Sequence, residues 1–442
     1  MKCSALFELQ KQHLSTKATL PVARRLSLLK SLQKTINEYQ QAIVEALRLD
    51  LGKGSSESLL SEIGLVHTEL RYAISHLKRW TRPQKKKSPL IHFPSRSYII
   101  AEPLGTALII SPWNYPFLLC ITPLIGALSA GCTAILKPSS KAPATAKVLF
   151  QILQTAMGAE DAAVVLHPSE DLLNFPFDTL FFTGSTEVGK LVMRKASEHL
   201  SRLTLELGGK SPVVVDQSAP IDLTAKRIAF GKMLNAGQTC VAPDYVLVHK
   251  SKEEQLCNAL EKEFRAAKEY EYPFIINEEH YQRLMALADY QCPTDKDKRI
   301  IWPTLIRSVA IDSPLMQQEI FGPLLPVLPY ETDQEALQIM QQFPKPLAFY
   351  LFTSKRTTVQ WYLKNFSFGG GCINDTIVHL ANVHLGFGGI GPSGMGSYHG
   401  KKSFDAFSHE KSILRKSLYI DVPLRYPPFT KVKQRLLKLF FS

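Results

Sequence analysis

The sequence predicts an α/β protein built on parallel, doubly wound sheets, and three observations lead there. Short apolar runs alternate with helical segments over residues 107–196, the rhythm of successive βαβ units. Residues 103–136 include no Lys, Arg, Asp, Glu or His, as expected of strands covered on both faces. A second α/β run begins near Lys210, and 442 residues exceed one ordinary domain, so two or three are expected.

Ahead of the first run, Val22, Leu26, Leu29, Leu32 and Ile36 recur at helical spacing behind Pro21, and helical patterns continue to about Trp80. Residues 82–89 read as a basic, solvated connector, and 97–100 as a short strand before a turn. Strands are then expected at 107–111, 134–136, 162–166 and 179–182, with helices at 116–130, 142–157 and 186–196. In the second run the helices fall near 223–234 and 252–268, and strands at 245–248 and 348–352. A glycine-rich tract at 386–396 and a basic tail close the chain. The charge-free stretch is long enough for a bilayer, which about 20 apolar residues span. Pro112, Pro116, Pro123, Gly126 and Gly131 interrupt it, however, where the turns of a buried β–loop–α–β unit belong.

A formal charge of +13 admits an anionic partner (nucleic acid, a phospholipid surface or a phosphorylated cofactor) and equally a solubilising surface. The seven cysteines are odd in number, widely spaced and never in CxxC. That argues against a disulfide framework and a zinc site, and fits a reducing cytosol. The amino terminus, MKCSALFELQKQ, lacks the apolar core of a signal peptide, so a cytoplasmic chain is expected. His379, His384 and His399 have no metal-ligand companions at useful spacing; no metal is expected, and they read as satisfied or solvent-facing.

The chemistry gathers on GQTC at 237–240. Cys240 alone reads as a small buried hydrophobe or as a nucleophile; backbone N–H groups of its turn would lower the thiol pKa and offer an oxyanion donor. Asn114 follows a strand in SPWNYP and projects at the sheet's carboxyl end, where ligands bind. It is an oxyanion donor or a helix N-cap. Glu206, in LELGGKSP, is a lone acid in an apolar setting: desolvation would raise its pKa and suit it to general-base work, a surface glutamate being the alternative. GSTEVGK at 184–190 misses a P-loop because Leu191 stands where magnesium needs a hydroxyl. A helix amino terminus after a Gly-Ser-Thr turn nevertheless suits a pyrophosphate. In EIFGP, Glu319 can accept from ribose hydroxyls and Phe321 can pack on a flat ring, unless the motif is an ordinary turn into a strand. GIGPSG at 389–394 matches GxGxxG without a leading strand and reads as a structural loop.

Taken together, PWN (112–114), LKPS (136–139), FTGSTEVG (182–189), LELGGKSP (205–212), GQTC (237–240) and EIFGP (319–323) resemble the aldehyde dehydrogenase superfamily, in that family's order and over nearly the whole chain. The tract GFGGIGPSGMGSYHGKKSFDAFSH and the short amino terminus are similar to its class-3, or fatty-aldehyde, branch, whose members are typically dimers. The resemblance implies an aldehyde dehydrogenase-like fold. A Rossmann-type cofactor domain would span 1–82 and 107–210, an α/β catalytic domain 211–385, and a small oligomerisation arm with the tail 83–106 and 386–442. It further implies NAD and/or NADP as cofactor, a small-molecule aldehyde substrate, a homodimer and no nucleic-acid partner.

By the same resemblance, Cys240 would attack the aldehyde carbonyl while Asn114 and the Cys240 N–H hold the oxyanion. Hydride would pass to the nicotinamide, and Glu206 would activate the water that releases a carboxylic acid from the thioester. Lys137 and Glu319 would hold the two riboses, Phe321 would flank the nicotinamide, and Gly184, Ser185, Thr186 and Gly189 would lie by the pyrophosphate. Tyr115, Phe117, Phe230 and Thr239 are candidates for an apolar tunnel suited to medium- or long-chain aliphatic or aromatic aldehydes, or else core residues. Many NAD-preferring relatives carry Glu where Ser140 stands, followed here by Lys141, which leaves NADP open. The tail from Phe429 sets Val432, Leu436, Leu439 and Phe440 on one face among basic residues, suited to an anionic membrane surface or to packing on its own or a partner subunit. The competing reading is a non-catalytic basic protein, binding membrane or nucleic acid, on a dehydrogenase scaffold; Cys240, Glu206 and Asn114 together argue against it.

Overall fold

The computed structural model describes residues 2–168, 170–289 and 291–441. Among these, the principal strands form two six-stranded sheets and one three-stranded sheet. The first runs Gly394–Met395, Arg202–Leu207, Thr179–Gly184, Thr106–Ile110, Thr133–Lys137, Ala162–Val164. Its neighbours are parallel except at the Gly394–Met395 edge. The charge-free stretch forms its centre: strand Thr106–Ile110, helix Leu118–Ala130, strand Thr133–Lys137. Every residue of that helix is buried, packed under Val22–Glu38 and Gly64–Trp80, which is why it has no polar face.

The second sheet runs Thr304–Ile306, Leu324–Tyr330, Tyr245–His249, Pro212–Val215, Ala348–Phe352, Gly370–Ile373 and is parallel throughout. Leu324–Tyr330 includes Pro326 and Pro329, and Pro212–Val215 is four residues long. Neither shows a period of two, so local pattern passes over both; a partner on each side makes them strands. The third sheet is an antiparallel arm. The expected strand at 97–100 is nine residues, Ser95–Pro103, because Ser408–Lys416 pairs along its whole length. The basic connector contributes Gln84–Lys86 on the other side, with its lysines still exposed.

Helix Cys3–Ser15 has no strong sequence signature; it docks Leu6 and Phe7 beside Leu108 and Ile135. Gln10 Nε2 fastens it by donating to the carbonyls of Ala134 and Ala159 at 3.0 and 2.9 Å. Helix Lys431–Phe441 leaves Val432, Leu436 and Leu439 exposed; the side chain of Phe440 and residue Ser442 lie outside the described residues. No described helix is long and apolar enough to cross a membrane.

Candidate active site

After helix Ile221–Met233 the chain reverses through three consecutive left-handed residues, Asn235, Ala236 and Gly237, with φ of 53, 51 and 72°. For the first two this is an uncommon backbone that surrounding structure must hold. Gln238 supplies part of that hold: its Nε2 donates to the carbonyls of Asn235 and Phe274, both at 3.1 Å, and its Oε1 accepts from Ile276 N at 3.0 Å. A Cβ at Gly237 would run into the carbonyl of Gly322, so this turn and the EIFGP motif fit against each other. The reversal delivers Cys240, partly buried, into the wall of two cavities at once, an apolar tunnel and a polar cleft. The expected lowering of its thiol pKa is not what the surroundings produce. Burial pushes it up to about 12, with the charges of Glu319 and Glu206 adding, and the N–H groups of Cys240 and Val241 offset only part of this.

Asn114 is buried in the loop between Thr106–Ile110 and Leu118–Ala130, lines the polar cleft, and donates from Nδ2 to the Gln238 carbonyl at 3.1 Å. It is not an N-cap: the helix begins at Leu118, and the N–H groups of Phe117 and Leu118 go to Glu62 Oε2 at 2.9 and 3.0 Å. Glu206 lies near the carboxyl end of Arg202–Leu207 and faces the same cleft. It is no surface glutamate: it is buried, neither carboxyl oxygen has a partner among the described residues, and desolvation pushes its pKa well above the usual carboxylate range. Beside it, Gly394 pairs with Glu206 and Met395 with Leu205, so the GxGxxG look-alike serves as the strand edge flanking the acid.

Gly184, Ser185, Glu319 and Phe321 line the cleft, together with Trp113 of the PWN motif and with His280 and Arg283, which sequence pattern did not single out. Ser185 caps helix Thr186–Glu198 by accepting from Val188 N at 3.4 Å. Two of the expected pyrophosphate residues line neither the cleft nor its neighbour. Thr186 Oγ1 donates to the Pro392 carbonyl at 3.4 Å, and Gly189 is buried against Leu207, whose Cδ2 would be 2.6 Å from an added Cβ. These two hold the helix in place. Lys137 is in a separate, adjacent pocket with Ile110, Phe182, Val188 and Val192.

Glu319 is held by its backbone. Arg283 donates to the carbonyls of Glu319 and Ile320 at 3.4 and 2.6 Å, and Asp244 Oδ1 accepts from Ile320 N at 2.9 Å. Lys210 Nζ binds Asp244 and the carbonyls of Leu315 and Gln318, the latter two at 3.1 and 3.0 Å. A Cβ at Gly208 would collide with the Glu319 carboxyl, so LELGGKSP and EIFGP interlock. Burial first, then Asp244, pushes the Glu319 pKa up to about 8, against the Gly209 N–H, Lys210 and Arg283. Lys210 is legible as part of a motif; His280 and Arg283 lie in a helix, Glu278–Leu287, absent from the expected elements although Asn277 caps it by accepting from His280 N at 2.9 Å and Glu278 and Glu279 open it.

Leu60, Leu65, Leu118, Leu234, Ile377 and Phe387 wall the tunnel, joined by Tyr115, Phe230 and Thr239. Tyr115 Oη and Thr239 Oγ1 share a hydrogen bond of 2.6 Å. Phe117 is not among them: it is wholly buried in the core ahead of helix Leu118–Ala130. His399 is satisfied as expected, Nδ1 lying 2.6 Å from Glu69 Oε1, and His384 is exposed. His379 departs from expectation, its Nδ1 being 3.4 Å from Cys372 Sγ and its buried Nε2 unpartnered. Among the described residues no three His, Cys, Asp or Glu side chains are grouped to hold a metal ion.

Comparison with known proteins agrees with this geometry. The profile of the aldehyde dehydrogenase family matches residues 7–413. The 4,4'-diaponeurosporen-aldehyde dehydrogenase of Staphylococcus aureus is 45% identical over 98% of this chain and 97% of that protein. The dimeric NADP-preferring aldehyde dehydrogenase of Rattus norvegicus is 41% identical over 91% of this chain and 93% of its own. Among solved structures, the substrate-bound state of Staphylococcus aureus AldH superimposes with a TM-score of 0.96 at 44% identity, covering 100% of both chains. With its motifs in order, its architecture shared and its relatives matched end to end, the chain belongs to the aldehyde dehydrogenase family, whose members oxidise aldehydes with NAD or NADP.

Proposed function

We propose that Cys240, Asn114 and Glu206 carry the aldehyde oxidation in this chain, and that the substrate is an apolar aldehyde with a medium or long aliphatic chain or an aromatic ring. One observation carries the reading. Cys240 lies in the wall of both the apolar tunnel and the cleft that holds Asn114 and Glu206. A carbonyl arriving through the tunnel meets the nucleophile from one side, and the other side is left for the hydride acceptor and water.

The residues present fit a nicotinamide dinucleotide. Ile110, Phe182, Val188 and Val192 would flank the adenosine with Lys137 at its ribose, the free N–H groups opening helix Thr186–Glu198 would face the pyrophosphate, and Glu319 and Phe321 would hold the nicotinamide end. When bound, the cofactor supplies the acceptor for the hydride leaving the substrate carbon. With a pKa raised to about 12, the Cys240 thiol is protonated at neutral pH, so Sγ gives its proton to solvent water in the cleft as the S–C bond forms and the carbonyl electron pair moves onto oxygen. Asn114 Nδ2 spends one hydrogen on Gln238 and has the other for the developing oxyanion, beside the Cys240 N–H. After the substrate carbon is oxidised, the acyl group remains on Sγ as a thioester. In its ionised form Glu206 then takes a proton from water as the hydroxide adds to the thioester carbonyl; the C–S bond breaks, the carboxylic acid leaves, and the proton passes from Glu206 to Sγ to restore the Cys240 thiol.

The testing experiment is NAD(P)H formation with saturated aldehydes of graded chain length. kcat/KM is expected to rise with each added methylene while the tunnel lasts, by up to about 0.8 kcal/mol per buried CH2. A flat or falling series would overturn the substrate assignment, and no reduction with any aldehyde would overturn the function.

Ser140, three residues past Lys137, is exposed and carries no charge to repel a 2′-phosphate, although Glu170 and Asp171 line the Lys137 pocket; neighbouring Lys141 Nζ lies 3.1 Å from His280 Nε2. NADP is therefore expected to support turnover within about tenfold of NAD, a gap of about 1.4 kcal/mol, and Ser140→Glu to lower kcat/KM for NADP more than for NAD. A much larger NAD preference in the unmodified chain would reject this reading of the ribose pocket.

A further inference from the structure

An ion pair that touches neither cavity reaches the oxyanion site through a single peptide carbonyl. Lys53 and Glu62 are both 0% exposed, with Nζ 2.6 Å from Oε1. Neither lines the tunnel or the cleft. Lys53 Nζ also donates to the backbone carbonyl of Asn114 at 3.0 Å and lies 3.9 Å from the centre of the Tyr115 ring. From the opposite side, Asn235 Nδ2 donates to the same Asn114 carbonyl at 2.8 Å and to the Gln238 carbonyl at 3.0 Å. The Gln238 carbonyl is the one that Asn114 Nδ2 itself binds. Asn114 is thus clamped between the Lys53–Glu62 pair and the left-handed reversal that ends in Cys240.

The pair is built for this reach. Glu62 sits in a single π-helical turn, Leu59–Ile63, which rotates its side chain inward; such turns inside helices recur at functional positions. Gly64 permits the turn, since a Cβ there would come 2.7 Å from the Leu59 carbonyl oxygen. The second Glu62 oxygen takes the N–H groups of Phe117 and Leu118, so one carboxylate fixes both the helix start and the lysine. The neighbouring Glu57 accepts from Asn235 N at 2.7 Å, bracing the far side of the clamp. A buried ion pair is a weak source of stability, and apolar residues of similar size often replace one without loss. What apolar residues cannot do is hold the Asn114 carbonyl in register with the Cys240 turn.

We propose that Lys53 and Glu62 are positioning residues for the oxyanion step, acting through the Asn114 peptide to set its amide against Cys240; this rests on Asn114 and Cys240 being the oxyanion site. Removing one partner leaves an uncompensated buried charge, so the working variant is Lys53→Met with Glu62→Gln, which keeps an acceptor for the helix N–H groups. Its first-turnover NAD(P)H burst with a saturated aldehyde is expected to slow about 10- to 100-fold, the scale of a misplacement near 1 Å. Iodoacetamide alkylation of Cys240, followed on its peptide by mass spectrometry, needs no oxyanion donor and is expected to stay within about twofold of wild type. Asn114→Ala is expected to slow the burst about 100-fold or more in the wild-type background and under about tenfold in the paired variant, because the two act through one group.

Asn235→Gly removes the opposite clamp while suiting the left-handed backbone, and the same pattern of slowed burst and unchanged alkylation is expected from it; this second variant keeps the test open if the paired one does not fold. An unchanged burst in a folded paired variant, an equal loss of burst and alkylation, or an undiminished effect of Asn114→Ala in that background would each overturn the proposal. If Asn114→Ala alone leaves the burst unchanged, it is the oxyanion reading beneath it that fails.

Discussion

Cys240→Ala is expected to abolish aldehyde-dependent NAD(P)H formation, lowering kcat by about 10,000-fold or more, the scale on which loss of a covalent nucleophile acts. The thermal midpoint is expected to stay close to wild type, because Cys240 lines cavity walls and only its edge packs on the core. The burst should vanish with the steady-state rate, since no thioester forms. Retention of even a tenth of the wild-type rate would show that the thiol is not the nucleophile.

Glu206→Gln is expected to divide the reaction in two. The burst persists, because carbonyl addition and oxidation do not need the carboxylate, while the steady-state rate falls about 100- to 10,000-fold with the loss of a general base. A burst lost together with turnover would reassign Glu206 to the first half-reaction. Its pKa supplies a separate readout on stability. The folded value lies well above the ordinary one because of desolvation. Below the ordinary carboxyl pKa, about 4.3, folded and unfolded chains are both protonated and the group is neutral in the balance. As pH rises past that value the unfolded chain gives up the proton first, so the folded state loses stability until pH passes the folded pKa. The amide that replaces the carboxyl in the variant does not titrate. The thermal midpoint of the variant relative to wild type is therefore expected to climb as pH rises above about 4, and a constant gap would show that the site does not raise the Glu206 pKa.

The chain's own pattern went far toward the central sheet and the reactive groups. Residues 103–136 could be placed because a charge-free run broken by prolines and glycines has few compact solutions, and the unit it predicts is present between Thr106 and Lys137. Cys240, Asn114 and Glu206 could be named because each sits in a short ordered motif. Where local signal was lacking, the reading fell short. Leu324–Tyr330 is a strand because of partners distant in sequence, and Gln84–Lys86 because it folds back on Ser97, Tyr98 and Ile99, which no periodicity reports. Phe117 looked like a tunnel residue by its place next to Tyr115, and its direction into the core depends on where Glu62 starts the helix.

Electrostatics divided along the same line. The sequence by itself determined the α/β class, through strand–helix alternation, and, through the resemblance its ordered motifs carry, the family and the candidacy of a thiol, an amide and an acid. Only the tertiary structure decided that the thiol lies in the wall of both cavities, that its pKa is pushed up to about 12, and that Gly189 and Thr186 brace helix Thr186–Glu198 without lining either cavity. It alone brought Lys53, paired with Glu62, and Asn235 to one carbonyl. The physical reason is that residue type and spacing are written along the chain, whereas desolvation and the direction of a hydrogen bond depend on groups that meet only when distant segments pack together.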